Sequence, residues 1–299
     1  MQGSQLPAQR KYDKIQGEKT ARVRAGKERR MAFQHFEFRP GVFHIQDAMG
    51  VCMTLFCGKD RALLVDTGYG LEDVGAYVKT LTSLPVDVIL THGHHDHALG
   101  AQWFDRVWIA EADFPVYFEY TKADWRRHVL NGARDKGISV EEEAYVDASM
   151  PIPEKLEPGD MDLGGLTARV ILCPGHTPGS CVVYVPEYEL LLTGDDWNPT
   201  TWLFFPEALA VQEYRKNMRE LLKLPFGHVL CSHQFALFHR VQLDWFMEYL
   251  SDECLKAARP VDAGKRFSVP TAEAQLPMKQ VLVFDKDKFE RYQGGEDDE

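Results

Sequence analysis

Val86-Asp87-Val88-Ile89-Leu90-Thr91-His92-Gly93-His94-His95-Asp96-His97 joins two opposite chemistries without a break. Val86–Leu90 is a compact apolar run that predicts a buried strand. It delivers four imidazoles and a carboxylate within the six residues 92–97. Imidazole nitrogen is the usual zinc ligand, and carboxylate oxygen serves zinc, iron or manganese. In extended chain, residues 92 and 94 point the same way, so their rings can share one ion. Asp96 and His97, at the turn into the next segment, are displaced and suit a second ion. A polar loop that is merely rich in His is the bland alternative, and the density of ligands weighs against it.

Three more segments end a predicted strand on a ligand type. Ile171–Ser180 offers His176 from a Gly/Pro turn. Leu190–Asp196 offers Asp195 after a Gly, with Asp196 beside it. His228–His233 offers His233. Ligands held at strand ends gain rigidity from the sheet.

The remaining pattern alternates strands and helices. Strands are predicted at 42–46, 53–57, 62–65, 106–110, 166–172, 181–185, 190–192, 228–231 and 281–284. Helices are predicted at 71–81, 95–104, 111–137, at 206–222 with Pro206 in its first turn, and at 240–255. This pattern predicts an α/β fold of two sheets with helices outside. Residues 31–290 read as a single domain, 1–30 as a basic flexible tail and 291–299 as an acidic tail.

The chain has 299 residues, 44% hydrophobic and 26% charged, an ordinary globular composition. Its 34 Lys and Arg stand against 45 Asp and Glu, for a net charge of -11. Positions 1–30 carry nine basic and three acidic residues. That segment is +6, and the rest of the chain is therefore -17. An acidic body disfavours nucleic acid as a partner. No apolar run reaches the roughly 18 residues of a membrane span, and no secretory signal is visible. The six Cys form no C-x-x-C pair and read as reduced thiols of a cytoplasmic protein. Cys231 reads as a buried strand thiol.

The H-x-H-x-D-H run at 92–97, the G-H-T-P-G-S turn at 175–180, the T-G-D segment at 193–195 and the late His233 resemble the metallo-β-lactamase superfamily of hydrolases. The likeness spans roughly residues 33–285. It implies an αβ/βα sandwich of two mixed sheets, with the site at one edge. It implies that His92, His94 and His176 bind one metal, that Asp96, His97 and His233 bind a second, and that Asp195 bridges them. Asp66, in L-V-D-T-G, matches a motif that supports the ligands from outside. His95 falls at a variable position.

The implied activity is a dinuclear metallohydrolase. Two divalent ions, zinc first with iron or manganese as alternatives, hold a bridging hydroxide, and Asp96 orients it or passes a proton. The substrate is a small-molecule ester, lactone, thioester or phosphoester. The bridging Asp195 separates the chain from true β-lactamases, which generally lack it. The nuclease branches carry an inserted domain for which this chain has no room. Trp197, Trp202 and Phe204 are the expected pocket wall, with Phe114–Trp125 as a lid, so the substrate is expected to have an apolar or aromatic portion. A homo-oligomer stays open. The competing readings are a mononuclear iron oxygenase of the persulfide dioxygenase type and a non-catalytic metal-binding protein.

Overall fold

The computed structural model describes residues 33–262 and 269–294. The basic segment 1–30 lies outside them, as does the chain beyond 294. The closing helix Lys286–Gly294 crosses position 290.

Alternation of side chains along the strands builds the layers. In Ala62–Val65, Leu63 and Val65 face one core while Ala62 and Leu64 face another. In Cys181–Val185, Val183 and Val185 join the same inner core, and Val182 and Tyr184 point outward. Period-two burial on both faces requires cover on both faces. The inner core lies between the two large sheets. The helix Val74–Leu81 packs on the outer face of the first sheet, and Val211–Leu221 with Arg240–Tyr249 on that of the second. The result is the αβ/βα sandwich.

The first sheet has seven strands in chain order from Gln34–Arg39 to Glu154–Lys155. The second has six, ordered Phe238–His239, His228–Leu230, Leu190–Leu192, Cys181–Val185, Thr167–Leu172, Gly159–Asp162. A third sheet of four strands joins Thr200–Leu203 to Gln280–Asp285, Thr271–Leu276 and Arg259–Val261. Sequence patterning anticipates only its Gln280–Asp285 strand. Within the large sheets, Ala62–Val65 runs parallel to Val86–Ile89, and Leu190–Leu192 parallel to His228–Leu230. The carboxyl ends of these parallel pairs lie at one edge, where open α/β sheets bind ligands. Two backbone bonds tie the sheets together there: Cys181 N–H to the Thr91 carbonyl at 2.9 Å and Cys52 N–H to the Ser232 carbonyl at 2.7 Å.

The expected helices are all shorter or broken: 71–81 is Val74–Leu81, 111–137 divides into Glu111–Asp113, Phe114–Tyr120 and Ala123–Asp135, and three others differ for a tertiary reason. The 95–104 segment is one α-turn, His95–Ala98, followed by a 3-10 turn, Leu99–Trp103. Both the N–H and the hydroxyl of Thr67 take the His97 carbonyl, so it is spent outside the helix. The 240–255 segment divides at Leu250, whose carbonyl accepts from Arg215, and Ser251 caps the short helix that follows. The 206–222 helix begins at Val211, not Pro206. Phe205 to Ala210 is held as a loop, with the Leu209 N–H on the Gly175 carbonyl.

Among the described residues no helix is long and apolar enough to cross a membrane. All six cysteines are free thiols. Burial pushes the Cys231 thiol well up, which makes it a structural group.

His44 gives the sandwich a pH dependence. It is fully buried on Val42–Gln46; Thr54 Oγ1 lies 2.9 Å from its Nδ1, and Nε2 donates to the Gln234 carbonyl at 3.2 Å. Burial holds its pKa down to about 4. The folded state therefore keeps His44 neutral where the unfolded chain, titrating near 6.5, takes a proton. Its contribution is complete above pH 6.5 and is lost as pH falls toward 4, amounting to about 3 kcal/mol. Urea midpoints are expected to drop across that window. His44→Gln, which keeps a donor and an acceptor, is expected to flatten the drop. Equal slopes in both proteins would place the titration elsewhere.

Candidate metal centre

Four of the expected ligands sit just past strand ends, and His94, Asp96 and His97 lie at the helical turn His95–Ala98. Thr91 and His92 follow Val86–Ile89, Asp195 follows Leu190–Leu192, His233 follows His228–Leu230, and His176 lies four residues beyond Thr167–Leu172. Two glycines permit the crowding. A Cβ on Gly93 would lie 2.4 Å from the Tyr117 nitrogen, and Gly194 adopts φ +55° against Thr91.

The side chains form two groups, within each of which the ligand atoms lie within 4.8 Å of one another. One is His92, His94 and His176; the other is Asp96, His97, Asp195 and His233. All are buried except His233. Asp195 faces both groups. Its Oδ2 lies 3.6 Å from His176 Nε2 and 3.0 Å from His233 Nε2, and its Oδ1 lies 3.5 Å from His97 Nε2. Asp196 is absent from both groups. It is buried, accepts from the His176 backbone N–H at 3.3 Å, and burial pushes its carboxyl well up.

Outer hydrogen bonds assign the tautomers. His176 Nδ1–H donates to the Trp202 carbonyl at 2.7 Å, and His97 Nδ1–H to Asp66 at 2.8 Å. His94 Nε2–H donates to Glu207 at 2.5 Å. Thr91 Oγ1 donates to Asp66 and lies 3.1 Å from His92 Nδ1, where it can accept. In the neutral rings each inner nitrogen is thereby left with a lone pair. His94 Nδ1 is 3.1 Å from His92 Nε2 and 2.9 Å from His176 Nε2. Three lone pairs at that spacing repel unless a cation lies between them. A tetrahedral zinc holding nitrogens at about 2.0–2.1 Å would space them roughly 3.3 Å apart. His97 Nε2 is buried with no hydrogen-bond partner. The donor set fits a divalent metal.

Electrostatics favour the ligating form at His92 and His176, and hold a proton on His97 that a bound ion would displace. Burial, then the neighbouring imidazoles, push His92 well down, and burial with His94 pushes His176 down to about 4, so both favour the neutral, ligating form. Burial opposes charge on His97, yet Asp195, Asp66 and Asp96 hold it well above the ordinary range. Burial would raise the Asp195 carboxyl, but His233 and His97 hold it well below the usual carboxylate value. Asp96 is likewise lowered against its burial, chiefly by His97, with its Oδ2 at 3.7 Å from His97 and 3.5 Å from His233. A divalent cation at its centre would balance the carboxylates of this cluster.

Asp66 adopts φ +65°, which aims its carboxylate at both Thr91 and His97. Sequence reasoning missed two further carboxylates. Asp113 is fully buried and accepts from Gly93 N–H, Gly179 N–H and the Thr177 hydroxyl at 2.7, 2.7 and 2.8 Å. It pins the His92–His94 loop to the His176 loop. Glu207 is the other.

The expected pocket wall needs correction. Trp197 is fully buried, packs on Phe238 and donates its indole N–H to Gln280, so it belongs to the core. Phe204 is also buried, stacked on Phe205. Trp202 is half-exposed. Phe205 meets two of the ligands, with its ring 4.6 Å from His94 and 5.2 Å from His176. From the expected lid, Tyr120 lies 4.5 Å from His94 and stacks on Trp125, which in turn lies 4.8 Å from His95.

The sequence model of the metallo-beta-lactamase superfamily matches residues 48–230. A probable metallo-hydrolase of Bacillus subtilis, YqgX, is 29% identical over 139 residues, 46% of this chain and 61% of that relative's length. The acyl-coenzyme A thioesterase MBLAC2 of Gallus gallus is 25% identical over 215 residues, 64% of this chain and 76% of the relative. A metallo-beta-lactamase family protein from Thermus thermophilus shares the fold at a TM-score of 0.53 and 21% identity, over 74% of this chain and 82% of that one.

Proposed function

The chain belongs to the metallo-beta-lactamase superfamily, and from that premise we propose that it is a dinuclear metallohydrolase of small-molecule esters, lactones, thioesters or phosphoesters. His92, His94 and His176 would hold one ion. Asp96, His97 and His233 would hold the other, with Asp195 shared. The observation that carries this reading is the placement of Asp195, whose two oxygens reach both groups of imidazoles. A mononuclear iron oxygenase leaves the second group without a role. Zinc is the first expectation for this donor set, and iron or manganese would also be accepted.

When bound, a divalent pair supplies Lewis acidity and a water acidified toward neutrality. The chain's own residues do the rest. Asp66, Glu207 and the Trp202 carbonyl fix the imidazoles so that their lone pairs converge. Asp96, lowered and therefore ionised, can accept a proton from the attacking water and return it to the leaving group. Phe205, Tyr120 and the half-exposed Trp202 offer an apolar surface beside His94 and His176. That surface supports a substrate with an apolar or aromatic portion. The likeness to a chicken acyl-coenzyme A thioesterase puts acyl thioesters first among assays. The acidic body, -17 outside residues 1–30, favours a small molecule over nucleic acid.

The test is a panel of thioesters, lactones, aryl esters, phosphodiesters and β-lactams on metal-quantified protein. About two ions per chain with hydrolysis of one class is the expected result. One iron per chain with oxygen consumption would replace this reading with the oxygenase. Metal-loaded protein inert toward every class would leave only metal binding.

A further inference from the structure

His94 is gripped from three sides. Its ring lies between Tyr120 at 4.5 Å and Phe205 at 4.6 Å, and its Nε2 donates to Glu207 at 2.5 Å. Glu207 lies 113 positions away in sequence, on the loop that leads into the helix Val211–Leu221. The Tyr120 hydroxyl bonds to the same carboxylate.

That loop has no secondary structure of its own to fix it. Lys288, on the closing helix Lys286–Gly294, supplies the order. Its ammonium donates to the carbonyls of Phe205, Pro206 and Ala208 at 3.0, 2.8 and 2.6 Å. An ammonium has three N–H donors, and all three are used on the residues flanking Glu207. The Leu209 N–H closes the other side on the Gly175 carbonyl, next to His176. Glu207 is thus placed by groups from three remote parts of the chain.

We propose that Glu207, seated by Lys288 and Tyr120, is the positioning residue of His94. It accepts the hydrogen bond from Nε2–H, and so compels Nδ1 to face His92 and His176 as a lone pair. Histidine in its other tautomer would turn an N–H into that group and could not ligate. A carboxylate on the outer nitrogen also raises the donor strength of the inner one. The role is to set affinity for the ion held by His92, His94 and His176. This inference rests on the metal-binding reading above, but its test does not depend on any substrate.

The experiment is a zinc titration of metal-depleted, full-length protein against a chromophoric chelator. Glu207→Ala is expected to weaken the His92–His94–His176 site by about 10–100-fold. Glu207→Gln keeps an acceptor on Nε2 and is expected to recover part of that loss. Lys288→Met is expected to move affinity the same way by less. Zinc affinity unchanged in Glu207→Ala would overturn the proposal. A wild-type protein that takes up no zinc would overturn the metal-binding reading and this inference with it. A protein that binds zinc but hydrolyses nothing would overturn only the hydrolase reading. If Glu207→Ala does not fold, wild-type protein decides the matter. Nitrogen-15 spectra of the metal-free chain should show His94 as the Nε2–H tautomer, and an Nδ1–H tautomer would refute the assignment.

Discussion

Asp195→Ala is expected to lower turnover by at least about 100-fold, on the scale seen when a reacting group is misplaced by an ångström. On the dinuclear reading, metal content should fall from two ions toward one. The reason is geometric, since among the described residues no other carboxylate reaches both His176 and His233 in this way. Asp195→Asn is the sharper variant. An amide offers one oxygen and one NH2, so it can face only one group as an acceptor. Both variants should fold, because Asp195 lies beyond the strand Leu190–Leu192 and contributes nothing to the apolar cores. Near-native circular dichroism with collapsed turnover is the expected outcome. Wild-type turnover in both variants would remove Asp195 from the site.

Asp113→Asn should damage stability and activity together. Three donors point at the two oxygens: Gly179 N–H at Oδ1, and Gly93 N–H with the Thr177 hydroxyl at Oδ2. Whichever way an amide is turned, its NH2 faces one of the two glycine N–H groups. One buried backbone donor is then orphaned, and another donor is forced against it. Each such loss costs about 1–3 kcal/mol, so a total of about 2–4 kcal/mol is expected from urea unfolding. Some of it is offset because burial already raises the Asp113 carboxyl against those hydrogen bonds. Since the same contacts hold the His92–His94 loop to the His176 loop, kcat should fall as well. A stable Asp113→Asn protein with full activity would show that the loops hold their spacing without it.

These two aspartates differ in how they could be read from sequence. Asp195 stands in T-G-D after an apolar strand, so its role is written in its immediate neighbours. The same is true of His92, His94, His97, His176 and His233, which the fold gathers because strand ends of both sheets meet at one edge. Asp113 stands alone in A-E-A-D-F, 64 residues from Thr177 and 66 from Gly179. No local pattern marks it. Glu207 was masked by a false local signal. Pro206 suits a helix start, but Lys288 takes the carbonyls that a first turn would have used, so the helix waits until Val211. Trp197 and Phe204 failed as pocket residues because aromatic density after Asp195 serves a third sheet as much as a cavity. Burial alone tells the two uses apart, and burial is not visible in a run of aromatics.

The third sheet has a consequence in time. His176 Nδ1 is fixed by the Trp202 carbonyl, and Trp202 stands opposite Val283 in the parallel pairing of Thr200–Leu203 with Gln280–Asp285. A ribosome adding about 5–20 residues per second reaches Val283 roughly 5–20 seconds after His176. Throughout that interval the nascent chain carries most of its imidazoles without the strand that sets one of them. The Trp202 carbonyl that orients His176 therefore gains its paired strand only late in synthesis, when a segment that contributes no candidate ligand emerges.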